Sequence, residues 1–194
     1  MSSFKLHTPT TAPAGSVTIL QTAQKGLGFI PNLYARMADA PTALQAYKQL
    51  GELLEHSELT LAEQQVVLIS ASVENNCAYC VAAHSFLARN LVKVSGEVIS
   101  ALRNSEPVPD ARLNALSQLT RAIVRERGWV AGSKELSDFF AAGYTAQNAL
   151  EVVLGVTMKT LSNYVNHITD IPLDATFAGE AWKTSCKSAA ACAH

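Results

Sequence analysis

The sequence predicts an all-α protein, and three features carry that prediction. Apolar residues recur at helical spacing almost from end to end. No convincing alternation of apolar and polar residues marks a strand. Pro, Gly, Ser and Thr stand where helices would begin and end. Ser16 is read as the cap of a first helix running to about Lys25, stopped by Gly26 and Gly28. Pro31 opens a short helix to about Ala38, and Pro41 a longer one to about His56. Thr60-Leu-Ala-Glu63 is a capping box, in which hydroxyl and carboxylate each satisfy an otherwise unpaired backbone N–H. The helix it starts runs to about Val73 through Val66-Val67-Leu68-Ile69, a turn apolar on every side, which places it deep in the core. Asn75-Asn76 breaks it, because both residues favour caps and turns over helix interiors. Further helices are expected from Cys77 to about Asn90 and from Ser95 to Leu102. Beyond Pro107 and Pro109 another runs from Asp110 to Arg127, with Leu113, Leu116, Leu119 and Ile123 at helical spacing. Ser133 and Thr145 cap the last two, read as core helices. The second of these shows Leu150, Val153, Leu154, Met158, Leu161, Val165 and Ile168 on one face.

A chain of 194 residues suits one domain and is long enough to bury a core without disulfide staples. The expected layout is a flexible N-terminal segment over 1–15, a helical domain over 16–184 in which Phe177 and Trp182 dock, and a low-complexity tail over 185–194. Apolar residues make up 48% of the chain and charged ones only 16%, so part of the surface is expected to be covered by another copy in a homo-oligomer. Net charge is −1 and no basic block occurs, which argues against nucleic acid as a partner. The longest apolar region, Ala149 to Ile168, is interrupted by Glu151, Lys159, Ser162, Asn163 and Asn166, so no membrane span is expected and a cytoplasmic protein is.

Chemistry is concentrated in Glu74-Asn-Asn-Cys77-Ala-Tyr79-Cys80-Val-Ala-Ala-His84. If a helix begins near Cys77, Cys80 lies one turn on and His84 four residues further, all on one face. The unpaired N–H groups and positive dipole end of a helix start favour thiolate over thiol, so a cysteine there titrates below its free value of about 8.5. His84 is placed to take the thiol proton, directly or through a water, and Glu74 to hold the imidazole or shuttle protons. A second cysteine at this distance lets an oxidised sulfur leave as a disulfide. Two plainer readings stand beside this one. Paired cysteines can be core packing, or Cys77, Cys80 and His84 can be three zinc ligands with Glu74 or His167 as the fourth. Elsewhere, Arg121 and Arg125 read as a wet helix face, and His7, His56 and His194 as solvated. Cys186 and Cys192 receive no role, and His167 is a candidate for the thiol pocket, a subunit interface or the surface.

The run Cys-x-Tyr-Cys-Val-Ala-Ala-His, after an apolar helix entered by Leu-Thr-Leu-Ala-Glu-Gln-Gln, resembles the alkyl hydroperoxidase D (AhpD)-like group of the carboxymuconolactone decarboxylase superfamily. The resemblance is specific over Leu59 to His84 and looser over Asn163 to Asp174. It implies an AhpD-like helical bundle, oligomerisation, and reduction of a peroxide substrate by the cysteine pair, with no metal, flavin or haem. Cys80 would match the attacking cysteine, Cys77 the resolving one and His84 the relay histidine, with an external dithiol as reductant. Two positions depart from the pattern. The relay glutamate expected twelve residues before the first cysteine is Gln65, and the histidine expected before the attacking cysteine is Tyr79. A glutamine cannot exchange a proton usefully, so Glu74 is expected to substitute, with Gln65 a buried amide in need of partners. The same departure leaves a non-catalytic redox sensor or interaction protein as the alternative to a peroxidase.

Overall fold

The computed structural model describes residues 4–183, and every described regular element is helical. The tail over 185–194, with Cys186, Cys192 and His194, lies outside the described residues. Nine α-helices follow in order: α1 Ala14–Leu27, α2 Asn32–Met37, α3 Pro41–Glu55, α4 Leu61–Glu74, α5 Ala78–Leu87, α6 Gly96–Asn104, α7 Ala111–Arg125, α8 Lys134–Ala141 and α9 Ala146–Thr169. A π-helical turn at Ala88–Val92 extends α5, and a 3₁₀ turn at Ala175–Glu180 ends the described chain.

Helix α4 is the axis of the bundle, packing against α7 on one side and against α5 and α9 on the other. The capping box that starts it is complete: Thr60 Oγ1 accepts from the Glu63 N–H at 3.3 Å, and Glu63 Oε2 accepts from the Thr60 N–H at 2.8 Å. Val66, Val67 and Ile69 are fully buried, each stabilising the fold by about 1.5–3 kcal/mol relative to exposure. Gly155 of α9 faces this helix. A Cβ there would lie 2.7 Å from Val67 Cγ1, so the close approach of α4 and α9 requires glycine.

Local expectations fail at a few positions. Helix α1 starts two residues before Ser16, after Pro13, and the Ser16 hydroxyl instead donates to the Ala38 carbonyl at 2.9 Å inside the core. His7 is buried rather than solvated, with Nε2 2.7 Å from Asp39 Oδ1. Arg121 is no wet face: it is buried and donates to the Leu102 carbonyl and the Ser105 and Ser117 hydroxyls. Phe177 and Trp182 dock as expected. The Phe177 ring lies against Phe29, Tyr79 and Phe86, and Trp182 Nε1 donates to the Arg103 carbonyl.

The largest correction concerns α9. Much of its apolar face points outward, with Leu150 73%, Val153 45% and Ile168 70% exposed. Its buried face instead carries Lys159, Ser162, Asn163 and Asn166. Those residues recur at spacings of three, four and seven, a single polar stripe turned into the core.

Candidate active site

The turn between α4 and α5 fixes the first cysteine. Asn76 takes a left-handed conformation (φ 56°), which asparagine tolerates better than most residues. Its N–H donates to the Val73 carbonyl, and the Cys77 N–H reaches the Ser72 carbonyl at 2.9 Å, closing the end of α4 with both bonds of a Schellman motif. Cys77 is thereby also the residue that precedes α5, and Cys80 falls in the first helical turn. Both thiols are free and almost fully buried, at 1% exposure each.

Around them stands the polar stripe of α9. Asn166 Nδ2 donates to Cys77 Sγ at 3.3 Å, and Cys80 Sγ lies 4.0 Å from Ser162 Oγ. Asn163 accepts from Asn75 Nδ2 at 3.0 Å. Its own Nδ2 is buried with no hydrogen-bond partner among the described residues and lies near enough to Cys80 to favour a thiolate there. Lys159 is 1% exposed, and no carboxylate lies within ion-pair distance of it among the described residues.

These neighbours separate the two thiols chemically. The Cys77 thiol donating to Cys80 is the largest influence holding Cys80 well below the usual thiol range. The Lys159 charge, Asn163 and Ser162 add to it, against the opposing effect of burial. The same hydrogen bond, with burial, pushes Cys77 far above that range. The surroundings thus favour Cys80 over Cys77 as the charged member of the pair.

His84 makes its hydrogen bonds away from the sulfurs. Its Nδ1 lies 3.1 Å from Gln65 Oε1 and its Nε2 3.0 Å from Lys159 Nζ. Since a glutamine carbonyl and an ammonium are the partners, Nδ1–H donates to Gln65 and Nε2 accepts from Lys159, which fixes one neutral tautomer. Burial and the lysine charge hold the imidazole well below its ordinary pKa. His84, expected to take the thiol proton directly or through a water, is instead hydrogen-bonded to Gln65 and Lys159. Gln65, expected to be buried, is half-buried, and His84 is the partner of its amide oxygen.

Glu74 does not join the site. Its carboxylate lies 3.6 Å from both Arg121 and Arg125 on α7, so two guanidinium groups hold it on the other side of α4. Nor does His167, which is exposed and stacked on Tyr164 at 6.3 Å. Neither can complete a metal site with Cys77, Cys80 and His84. Tyr79 sits beside the thiols in a structural role: its hydroxyl donates to Asp174 Oδ2 at 2.6 Å and accepts from the Leu33 N–H at 3.2 Å. A cavity of about 180 Å³ opens beside His84 and Gln65, walled also by Tyr34, Tyr47, Leu68 and Met158.

The fold and the paired thiols define an all-helical CxxC protein of AhpD-like architecture. Residues 41–122 match the carboxymuconolactone decarboxylase family. Similar solved structures include the alkylhydroperoxidase AhpD core of an uncharacterized peroxidase-related protein from Ralstonia eutropha, at a TM-score of 0.81 and 20% identity over 94% of this chain and 98% of that one. An uncharacterized peroxidase-related protein from a Silicibacter species gives 0.77 and 20% over 91% and 93%. The debrominase Bmp8 gives 0.74 and 15% over 93% and 96%. No curated protein matches the sequence.

Proposed function

We propose that the chain is a thiol-dependent peroxidase in which Cys80 attacks and Cys77 resolves. The observation that carries this reading is the pair of free, buried thiols at the start of α5, with Asn166 hydrogen-bonded to Cys77 and Ser162 beside Cys80 on a stripe that helps to lower the Cys80 thiol pKa. The Cys80 sulfur attacks the terminal peroxide oxygen, so that an S–O bond forms, the O–O bond breaks, and the departing alkoxide takes a proton. Cys77 then displaces hydroxide from the Cys80 sulfenic acid, its own proton leaving with that hydroxide as water, and a disulfide results. An external dithiol returns two electrons and two protons. The resemblance of the chain to peroxidase-related proteins supports this assignment.

Turnover is the test. Reduced protein given an organic hydroperoxide and a dithiol should consume both catalytically. Mass spectrometry of the resting oxidised form should show Cys77 joined to Cys80. A single stoichiometric oxidation without turnover would favour a redox sensor instead. The outward apolar face of α9, with exposed Leu53 on α3, supports the further proposal that copies of the chain cover one another there.

A further inference from the structure

Resting on the peroxidase reading, we propose that Lys159 is the catalytic acid of the site, passing its proton through a neutral His84 to the departing alkoxide. The family's carboxylate relay is absent here, since Gln65 has no proton to give and Glu74 is held by Arg121 and Arg125. What the buried centre does contain is one ammonium, on Lys159, whose only hydrogen-bond partner among the described residues is His84 Nε2 at 3.0 Å. Burying such a cation is costly without a counter-charge. The titratable groups that face it are Cys77 just before α5, Cys80 and His84 from α5, and Tyr34 from α2, while the α4 residue at the imidazole is the uncharged Gln65. The Cys80 thiolate is the one anion in that set.

The consequence follows from charge balance. When Cys80 attacks, its negative charge leaves with the alkoxide, and Lys159 loses the charge that justified its own. His84 is placed to close the circuit: Nε2 receives the lysine proton while the Nδ1 proton, held against Gln65 at the cavity wall, goes to the alkoxide. The imidazole changes tautomer and never carries net charge. Thiolate and ammonium thus become sulfenic acid and neutral amine, with alcohol released. Cys77 then closes the disulfide, releasing water. Reduction of that disulfide by a dithiol supplies two protons, one restoring the Cys77 thiol and the other the Lys159 ammonium. No proton is exchanged with solvent in the oxidative half of the cycle.

Proton counting on the full-length wild-type chain tests this without a substitution. Reduced protein in weak buffer at neutral pH is oxidised to the disulfide by tert-butyl hydroperoxide and, separately, by diamide, with an indicator dye present. The expected result is no net proton uptake per disulfide with either oxidant. Uptake of one proton per disulfide would mean that Lys159 stays charged, and the proposal falls. Failure of the hydroperoxide alone to form the disulfide would overturn the peroxidase reading and, with it, the acid role. The diamide count would still show whether Lys159 discharges. Two variants separate charge from proton. Lys159→Met should move the pH profile of Cys80 alkylation by iodoacetamide upward, toward the ordinary thiol range, with the Cys77 donor still in place. Lys159→Arg should keep that profile low but lose about 10²–10⁴-fold in peroxide rate, because a guanidinium does not give up its proton. An arginine variant as fast as wild type would overturn the acid role.

Discussion

Helix α4 separates two regions that handle buried charge in opposite ways. On the α7 side both carboxylates of α4 meet a guanidinium: Glu63 pairs with Arg112 at 3.2 Å, and Glu74 faces Arg121 and Arg125. On the α5 and α9 side an ammonium meets an imidazole near the thiols, with no carboxylate within ion-pair distance among the described residues. Charges that answer one another permanently hold helices together. A cation whose counter-charge is a nucleophile is a site, because the reaction removes that counter-charge. The glutamate three residues before the first cysteine belongs to the first kind, although its place in the sequence suggested the second.

Substitutions on the two sides should therefore separate chemistry from stability. Cys80→Ser should abolish hydroperoxide consumption, a loss of more than about 10³-fold, with an unchanged far-UV spectrum. Residual turnover at the wild-type rate would place the nucleophile elsewhere. The pH profile of Cys80 alkylation comes next. The reacting form is the thiolate and its pKa is lowered. Reactivity should therefore persist from alkaline pH down through neutrality, well below the ordinary thiol value of about 8.5. It should be lost only as pH falls through the lowered value. A profile that rises near the ordinary value would remove the asymmetry of the pair. Gly155→Ala forces a Cβ against Val67 between the two regions and should cost about 1–3 kcal/mol in denaturant unfolding. Glu74→Gln should cost about 1–3 kcal/mol, since Arg121 keeps its burial and loses its counter-ion. The same variant should leave the peroxide rate as it was, and a slowed rate would return Glu74 to the relay. Smallest for the chemistry, Leu150→Lys with Ile168→Lys should lower the mass seen by light scattering while leaving Cys80 alkylation unchanged.

The fold was legible because its punctuation is local. Thr60 and Glu63 cap one helix, and Asn75-Asn76 ends it within a few residues of where the sequence says. The thiols and His84 were legible for the same reason, lying on one stretch of eight residues. Lys159 was not, although its signal was present. Lys159, Ser162, Asn163 and Asn166 interrupt an apolar run at the period of a helix. The interruption was read as evidence against a membrane span rather than as a polar stripe facing inward. An amphipathic pattern gives two faces and does not say which one the core takes. Here the thiols give the polar face partners inside, and Leu150, Val153 and Ile168 of the apolar face are left outside. Glu74 fails for the complementary reason: its partners come from α7, about fifty residues away in the chain, where local spacing carries no information.

Asp174 joins the two ends of the described chain. Its carboxylate accepts from the Asn32 N–H at 3.1 Å at the start of α2 and from Tyr79 beside the thiols at 2.6 Å, while Asn32 Nδ2 donates to the Pro172 carbonyl at 3.0 Å. The segment from Ile171 to Glu180 thus closes over the cysteine turn like a strap buckled to the N-terminal helices. Such a strap opens locally at a lower free energy than the α4 core unfolds. Proteolysis at this segment, or Asp174→Ala, would uncover Tyr79 and the neighbouring thiols in a molecule whose bundle is still folded. The sulfurs would lose their seclusion before the protein lost its shape, and oxidation without turnover would be the first sign of damage.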